Sequence, residues 1–258
     1  MRQQLLPFVR ILVLAAAAGA CKGGADSDPA IRALRFDGVD DFVQVPASPS
    51  LNVGTGDFTW EIWLKRDSIM RREDVLTKKD VLADSEHDAA IYFDRDGTVN
   101  AFLRSHPLDR TAIVASQGGI GTGWTHIAMV RSSGLLKLYV NGGLHGSASA
   151  PFSITSSGPL RIGANRVNNT GAEGAPVFPF VGLVDEVRIW NVARTDAQIS
   201  AAASQQCSQG TAPGLVASYQ FEQKSGTTLP DASGTGNVGT LRNGPVWVAG
   251  AARCPAAG

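Results

Sequence analysis

Apolar and polar residues alternate along most of this chain with the two-residue period of a β-strand. Residues 58–65 show the alternation most strongly. One face of that segment would carry four apolar side chains, namely Phe58, Trp60, Ile62 and Leu64. The opposite face would carry Thr59, Glu61, Trp63 and Lys65. A tryptophan on each face predicts a central strand that is covered in part on both sides.

Short segments of the same kind recur through the chain, and turn sequences such as Asp96-Gly97 and Asn141-Gly142 separate them. The helical pattern is confined to residues 195–203, where Thr195 can cap the first turn. About a dozen strands without a strand–helix–strand rhythm predict one fold class. It is an all-β, two-sheet antiparallel β-sandwich with one short helix near 195–203.

The segment 180–190 (FVGLVDEVRIW) places an acidic residue where the period predicts an apolar face. That face would hold Val181, Leu183, Asp185, Val187 and Ile189. A carboxylate buried without a partner costs several kcal/mol. Asp185 therefore needs a metal ion, an arginine or a ring of backbone N–H groups, unless its side chain reaches water at a sheet edge.

Charge excludes one class of partner. The chain has 258 residues, with 23 Lys+Arg against 23 Asp+Glu, so its formal net charge is zero. Proteins that bind nucleic acid usually carry a basic excess, so we expect no nucleic-acid partner. Charges of both signs concentrate in residues 65–88, which the sequence predicts to be a solvated excursion containing one short strand.

The first 21 residues have the pattern of an export signal. Arg2 and Arg10 make the start positive, and an apolar run at 11–18 precedes small residues. That run is too short to remain as a membrane-spanning helix. Residues 1–21 are therefore set apart from the folded part.

Cys21 follows those small residues as the acylated cysteine of a bacterial lipobox does, although Ala18 stands where the lipobox usually has Leu. We expect Cys21 to be the first mature residue and to be lipidated, with ordinary cleavage and a free thiol as the alternative. Residues 22–30 then form a flexible tether, and 31–258 form one domain. Lys22 in place of an aspartate favours the outer membrane of the cell envelope. The lipid on Cys21 would be the only contact with the membrane.

Two cysteines remain after Cys21 is set aside, namely Cys207 and Cys254. An even number in an oxidising compartment predicts one disulfide. A loop of about 46 residues closed in this way would contribute roughly 4 kcal/mol on the chain-entropy account. The disulfide would hold the C-terminal tail against the domain; two unpaired thiols are the alternative.

Six motifs in a fixed order resemble the LamG-like (laminin G type 3) domains of the concanavalin A-like lectin/glucanase group. They are FDGVDDFVQV, DFTWEIWLK, GWTHIAMVR, LKLYVNG, LRIGAN and FVGLVDEVRIWNVARTDAQI. The resemblance implies a jelly-roll sandwich. It says less about activity, because this fold serves lectins, glycanases and adhesion modules alike.

The resemblance also implies a structural calcium ion. Its ligands would be Asp185 on a late strand and the early turn at Asp37 and Gly38. Calcium takes six to eight oxygen ligands, which carboxylates, carbonyl groups and water would supply.

The residues point to binding more than to catalysis. Retaining glycanases of this fold carry Glu-x-Asp-x-Glu on one strand, and the chain has no such motif. Lyase sites on sandwiches use a tyrosine and a histidine, but nothing in the sequence brings the available ones together. Those available are Tyr92, Tyr139, His106 and His126. We interpret His126 as a hydrogen-bonded structural residue.

Sugar-binding sandwiches stack pyranose rings on exposed aromatic side chains, with amides and charges reaching the hydroxyl groups. The candidates here are Trp63, Glu61 and Lys65 on one strand, and Arg166, Asn168 and Asn169 in a loop. We therefore predict a monomeric, non-catalytic lectin-like module that binds glycan or a cell-surface protein. The alternatives are a glycan hydrolase or lyase, or a protein-interaction domain without a sugar site.

Overall fold

A computed structural model describes residues 32–79, 89–105, 110–154, 156, 158–166, 176–204 and 211–250. Two antiparallel eight-stranded sheets and one short helix account for most of these residues, which confirms the predicted sandwich. The export signal, the tether, Cys21, Cys207 and Cys254 lie outside the described residues, so the lipid and the disulfide stay predictions.

The first sheet contains β1 (Arg32–Asp37), β3 (Phe58–Arg66), β8 (Trp124–Ser132), β9 (Leu135–Val140), β10 (Gly143–Ser149), β14 (Val181–Trp190), β15 (Leu215–Tyr219) and β18 (Val246–Ala249). The second sheet contains β2 (Phe42–Val45), β4 (Glu73–Lys78), β5 (Ala89–Phe93), β6 (Val99–Ser105), β7 (Arg110–Ala115), β11 (Leu160–Ile162), β16 (Thr228–Leu229) and β17 (Gly239–Arg242). A small ladder pairs β12 (Asn165–Arg166) with β13 (Pro176–Val177).

The spatial order of the first sheet is β10-β9-β8-β3-β14-β1-β18, with β15 also paired to β14. The second sheet runs β16-β17-β2-β11-β4-β5-β6-β7. The core lies between the two sheets. The predicted apolar face of β3 is part of it, since Phe58, Trp60, Ile62 and Leu64 are all fully or almost fully buried. The period-two pattern therefore identified the inner face of this strand correctly.

A β-bulge in β14 changes which side chains face the core. Val184 pairs with Leu64 and Asp185 with Trp63, but Arg188 is the next residue in register, opposite Glu61. Two residues of β14 thus oppose one residue of β3, and the alternation reverses across the bulge. Val184 and Val187 lie in the core, whereas Asp185 lies on the outer face with Trp63. The prediction that Asp185 shares a core face with Val187 and Ile189 was wrong for this reason.

The predicted helix begins and ends one residue later, as α1 (Asp196–Ser204). Thr195 and Gln198 form a capping box, in which the Thr195 N–H donates to Gln198 Oε1 (2.9 Å) and the Gln198 N–H donates to Thr195 Oγ1 (3.3 Å). Ile199 packs with Ala128 and Tyr139 on the outer face of the first sheet. The helix therefore covers part of that face.

Candidate functional site

The outer face of the first sheet carries the predicted sugar-binding residues of β3, but they are not open to solvent. Trp63 is 4% exposed and Glu61 is 0% exposed. Trp63 stacks at a tilt on His126, with ring centroids 5.4 Å apart. The prediction that Trp63 and Glu61 meet a sugar was wrong, because this face is packed. Lys65, at the end of the strand, is half-buried.

Glu61 is the centre of a buried polar network on this face. Arg194 Nη1 lies 2.6 Å from Oε1 and 2.7 Å from Oε2 of Glu61. Trp190 Nε1 donates to Glu61 Oε2 at 3.0 Å, and the Arg194 guanidinium lies over the Trp190 ring. This Glu61 network ties β3 to β14 and to the segment that leads into α1. Its hydrogen bonds satisfy the buried carboxylate without any ligand.

His126 lies beside Glu61, with Nε2 3.7 Å from Glu61 Oε1. Burial, reinforced by the positive charges of Arg188 and Arg194, lowers the pKa of His126 to about 3. The imidazole is therefore neutral at physiological pH. The sequence predicts a hydrogen-bonded histidine here, and that prediction was wrong, because neither ring nitrogen has a hydrogen-bond partner among the described residues.

The predicted calcium ligands are not brought together. Asp185 is 1% exposed, and its Oδ1 accepts the N–H of Glu186 at 2.9 Å inside the bulge. In the ladder between β1 and β14, Asp37 pairs with Val181. Four residues of strand, about 13 Å, therefore separate Asp37 from the level of Asp185. Asp185 and the turn at Asp37–Gly38 do not form one metal site.

The early turn instead gathers three carboxylates, because ligand oxygens of Asp37, Asp40 and Asp41 lie within 4.8 Å of one another. Two of these groups bond the turn itself. Asp37 Oδ1 accepts the Val39 N–H (2.7 Å), and Asp41 Oδ2 accepts the Asp37 N–H (2.9 Å). Aspartate often has this role in tight turns. Calcium binding stays a prediction.

The outer face of the second sheet is the more promising surface, and the sequence reasoning missed it. Tyr92 lies between the core residues Ile91 and Phe93, so its side chain points away from the core. Phe102 on β6 and Arg161 on β11 also lie between core residues, so their side chains point away from the core as well. Aromatic rings and guanidinium groups lie side by side on this surface. We call this surface the cation–aromatic face; it consists of Phe42, Arg72, Tyr92, Phe102, Arg104 and Arg161.

Two arginines on this face stack on rings. The guanidinium carbon of Arg161 lies 4.4 Å from the centre of the Phe42 ring. That of Arg72 lies 4.6 Å from the Tyr92 ring and 4.4 Å from the Phe178 ring. A guanidinium group stacked in this way directs its in-plane N–H donors towards the edge of the ring.

Polar groups surround these stacks. Arg161 donates to Gln44 Oε1 and to the Asn165 carbonyl, both at 3.3 Å. Arg72 Nε lies 3.6 Å from a carboxylate oxygen of Asp74. Asp74 belongs to the charged stretch predicted to be solvated, but it is fully buried, as is Glu73. The short strand predicted in this stretch is confirmed as β4, but the prediction that it is solvated was wrong, because β4 is an interior strand of the second sheet.

The cation–aromatic face is partly open at Phe102 and Arg104, which are half-buried. Tyr92 meets Phe102 edge to face, with ring centroids 6.4 Å apart. Ile113 lies opposite Phe102 on β7 and is 48% exposed. An apolar platform flanked by charged donors and amides matches a ligand that has both an apolar face and hydroxyl groups.

Of the loop candidates, Arg166 falls within the described residues. Arg166 lies in β12, which pairs with β13 and packs against β4. Asn168 and Asn169 lie outside the described residues. Arg166 therefore does not join Trp63, Glu61 and Lys65 in one site, since those three lie on the first sheet.

Among the described residues no helix has the length and apolar character that crossing a bilayer requires.

Comparison with known families gives a match over most of the folded part. The profile of the laminin G type 3 family, described as the concanavalin A-like lectin/glucanases superfamily, matches residues 37–200. A search of curated proteins finds no match.

Solved structures share the fold at low identity. A candidate carbohydrate-binding protein from Bacteroides ovatus is 19% identical with a TM-score of 0.63, and the match covers 87% of this chain and 61% of that protein. The SAP-like pentraxin of Limulus polyphemus is 18% identical (TM-score 0.54, 69% and 84% covered). The CBM40 domain of a Ruminococcus gnavus sialidase, bound to α2,3-sialyllactose, is 16% identical (TM-score 0.52, 67% and 98% covered). At these identities the likeness concerns the fold.

Proposed function

Because this chain belongs to the concanavalin A-like lectin/glucanase superfamily, we propose that it is a non-catalytic, lectin-like module that binds glycan on its cation–aromatic face. One observation carries the proposal. The outer face of the first sheet is packed under α1 and the Glu61 network, whereas on that of the second sheet Phe102, Arg72 and Arg104 are only half-buried. The sugar-bound CBM40 domain and the Bacteroides protein make glycan the ligand class to test first.

The proposed contact combines two interactions. The apolar face of a pyranose ring would stack on Phe102, which Tyr92 supports from its edge. The hydroxyl groups would accept hydrogen bonds from Arg104 and Arg72 at the two sides of that platform. The guanidinium of Arg72 is held between two rings, so little side-chain entropy would be lost on binding.

A glycan array followed by calorimetry tests this proposal. We expect Phe102→Ala to weaken binding of an array hit about tenfold, equivalent to about 1.4 kcal/mol. The matched control is Leu144→Ala, which removes an exposed apolar side chain from β10 of the first sheet. If the two variants bind the glycan with equal affinity, the binding site does not include Phe102. Release of reducing ends from a polysaccharide would instead indicate a glycan hydrolase. If no sugar binds and a specific protein partner is captured, a protein-interaction domain would be favoured.

The proposal includes the location of the protein. Export and acylation of Cys21 would hold the sandwich at the bacterial cell envelope through the flexible tether 22–30. Labelling cells with a clickable fatty acid tests the anchor: the wild-type chain should take up label and Cys21→Ser should not. Label that persists in Cys21→Ser would contradict the lipoprotein assignment.

A further inference from the structure

A pocket lies at one end of the sandwich, away from the cation–aromatic face. It has a volume of about 170 Å³ and is enclosed by the loop before β3, the end of β14 and the start of β15. The apolar side chains of Leu51, Phe58 and Trp190 line its interior, and all three are buried. Exposed polar residues line its edge, namely Asn52, Asp57 and Asn191. We call this cavity the end pocket.

The polar edge of the end pocket keeps hydrogen-bonding capacity unused. The side-chain amides of Asn52 and Asn191 make no hydrogen bond to any other described residue. Asp57 uses Oδ1 to accept the Ser133 N–H (2.8 Å), and Oδ2 is left for another donor. Two amides and one carboxylate oxygen therefore provide both donors and acceptors above an apolar floor.

The loop at the pocket's edge is held in place by a buried arginine. Arg131 is 1% exposed and donates to the carbonyl groups of Val53 (3.1 Å), Gly54 (2.8 Å), Gly56 (2.8 Å) and Phe152 (3.1 Å). One guanidinium thus fixes three carbonyl groups of the same loop. A loop that is rigid before binding loses less conformational entropy when a ligand binds. Such rigidity is typical of preorganised binding sites.

We propose that the end pocket is a second ligand subsite, which takes one neutral pyranose ring. The volume is that of five to six water molecules at about 30 Å³ each, which suits a single ring. The apolar floor matches the C–H face of the sugar, and the two amides match its hydroxyl groups. Among the described residues that line the pocket, Asp57 is the only ionisable one, and its carboxylate would repel an acidic sugar.

The test is a titration of the ¹⁵N-labelled chain with methyl α-glycosides of glucose, galactose and mannose, and with N-acetylneuraminic acid. We expect at least one neutral glycoside to shift the amide resonances of residues 52–57 and 191, with a dissociation constant in the millimolar range, as suits so small a ligand. The double substitution Asn52→Ala with Asn191→Ala should weaken that binding at least fivefold. Thr55→Ala, an exposed change in the same loop, should leave it unchanged.

The outcomes separate this subsite from the cation–aromatic face. Phe102→Ala should not alter the shifts at residues 52–57. If the amide resonance shifts are confined to the second sheet, the end-pocket proposal is wrong, but the proposed function is unaffected. Shifts at the end pocket that Phe102→Ala leaves unchanged support the subsite even if no glycan binds the second sheet. Equal binding of N-acetylneuraminic acid, or no shift at the loop with any sugar, would overturn the proposal.

Discussion

His126 shows how burial sets the chemistry of one residue. The imidazole is fully buried between Trp63 and Glu61, and Arg188 and Arg194 are the nearby positive charges. Burial and these arginines both oppose a further positive charge, so the ring stays neutral. A neutral buried histidine makes folding stability depend on pH, because the unfolded chain binds a proton that the folded chain does not.

The sign of this dependence follows from the pKa of His126, which is about 3 in the folded chain against an ordinary value of 6.5. The contribution to stability is complete above pH 6.5 and is lost as the pH falls towards 3. Between pH 7.5 and pH 5, we expect this residue to cost about 2 kcal/mol of unfolding free energy. Urea unfolding of the wild type and of His126→Gln at both pH values checks this. The same loss in both chains would contradict it.

At the scale of the element, the bulge in β14 determines the surroundings of Asp185. The positive φ of Glu186 (46°) marks the extra residue, and the Asp185 carboxylate bonds the backbone there. Such a residue supports the local chain conformation. A metal is not needed to explain why an aspartate occupies this position.

Asp185→Asn should therefore destabilise the fold by about 1–3 kcal/mol, because a charge-assisted hydrogen bond to the bulge becomes weaker. The loss should be equal with and without a calcium chelator. Thermal unfolding of wild type and variant, each with and without EGTA, measures both effects. If the chelator lowers the melting temperature of the wild type only, Asp185 is a calcium ligand after all.

The loop held by Arg131 gives a second prediction at this scale. Arg131→Leu removes the guanidinium hydrogen bonds to the carbonyl groups of Gly54, Gly56 and Phe152, so we expect a loss of about 3 kcal/mol in unfolding free energy. Amide hydrogen exchange in residues 53–57 should also become faster. Arg110→Ala, an exposed change on β7, is the control. If amide hydrogen exchange in residues 53–57 is unchanged, Arg131 does not hold this loop in place.

The sequence predicted elements better than it predicted faces. Alternation identified β3 and its core side, and the capping residues at Thr195 located α1 within one residue. Alternation cannot reveal a bulge, so the face of Asp185 was assigned wrongly. It also cannot show which outer face a helix covers, so Trp63 was taken for an exposed platform. Tyr92 and Phe102 are distant in sequence from Arg161, and only the strand pairing of the second sheet brings them to one surface.

At the scale of the whole molecule, a buried ion pair joins the two sheets. Arg66 at the end of β3 donates from Nε to Glu73 Oε2 on β4 at 2.8 Å, and both side chains are fully buried. Arg66 also lies over the Phe93 ring, while Glu73 Oε1 accepts the Val181 N–H. The pair therefore connects elements of both layers through one contact.

Removing both partners should cost less than the sum of the two single losses. Arg66→Met and Glu73→Gln each leave a buried group without its partner, and we expect each to cost about 3–5 kcal/mol. The double variant should cost less than the sum by at least about 1 kcal/mol. Denaturant unfolding of the four chains provides this cycle. Additive losses would show that the two side chains act independently.

The central position of β14 has a consequence for the order in which the chain can fold. This strand pairs with β1, β3 and β15, so the earliest strands of the first sheet have no common neighbour until residues 181–190 have been synthesised. Such long-range pairing makes folding slow. A nascent chain would therefore leave the ribosome without a finished sheet. In the export proposed above, this delay would keep the chain unfolded while it crosses the membrane.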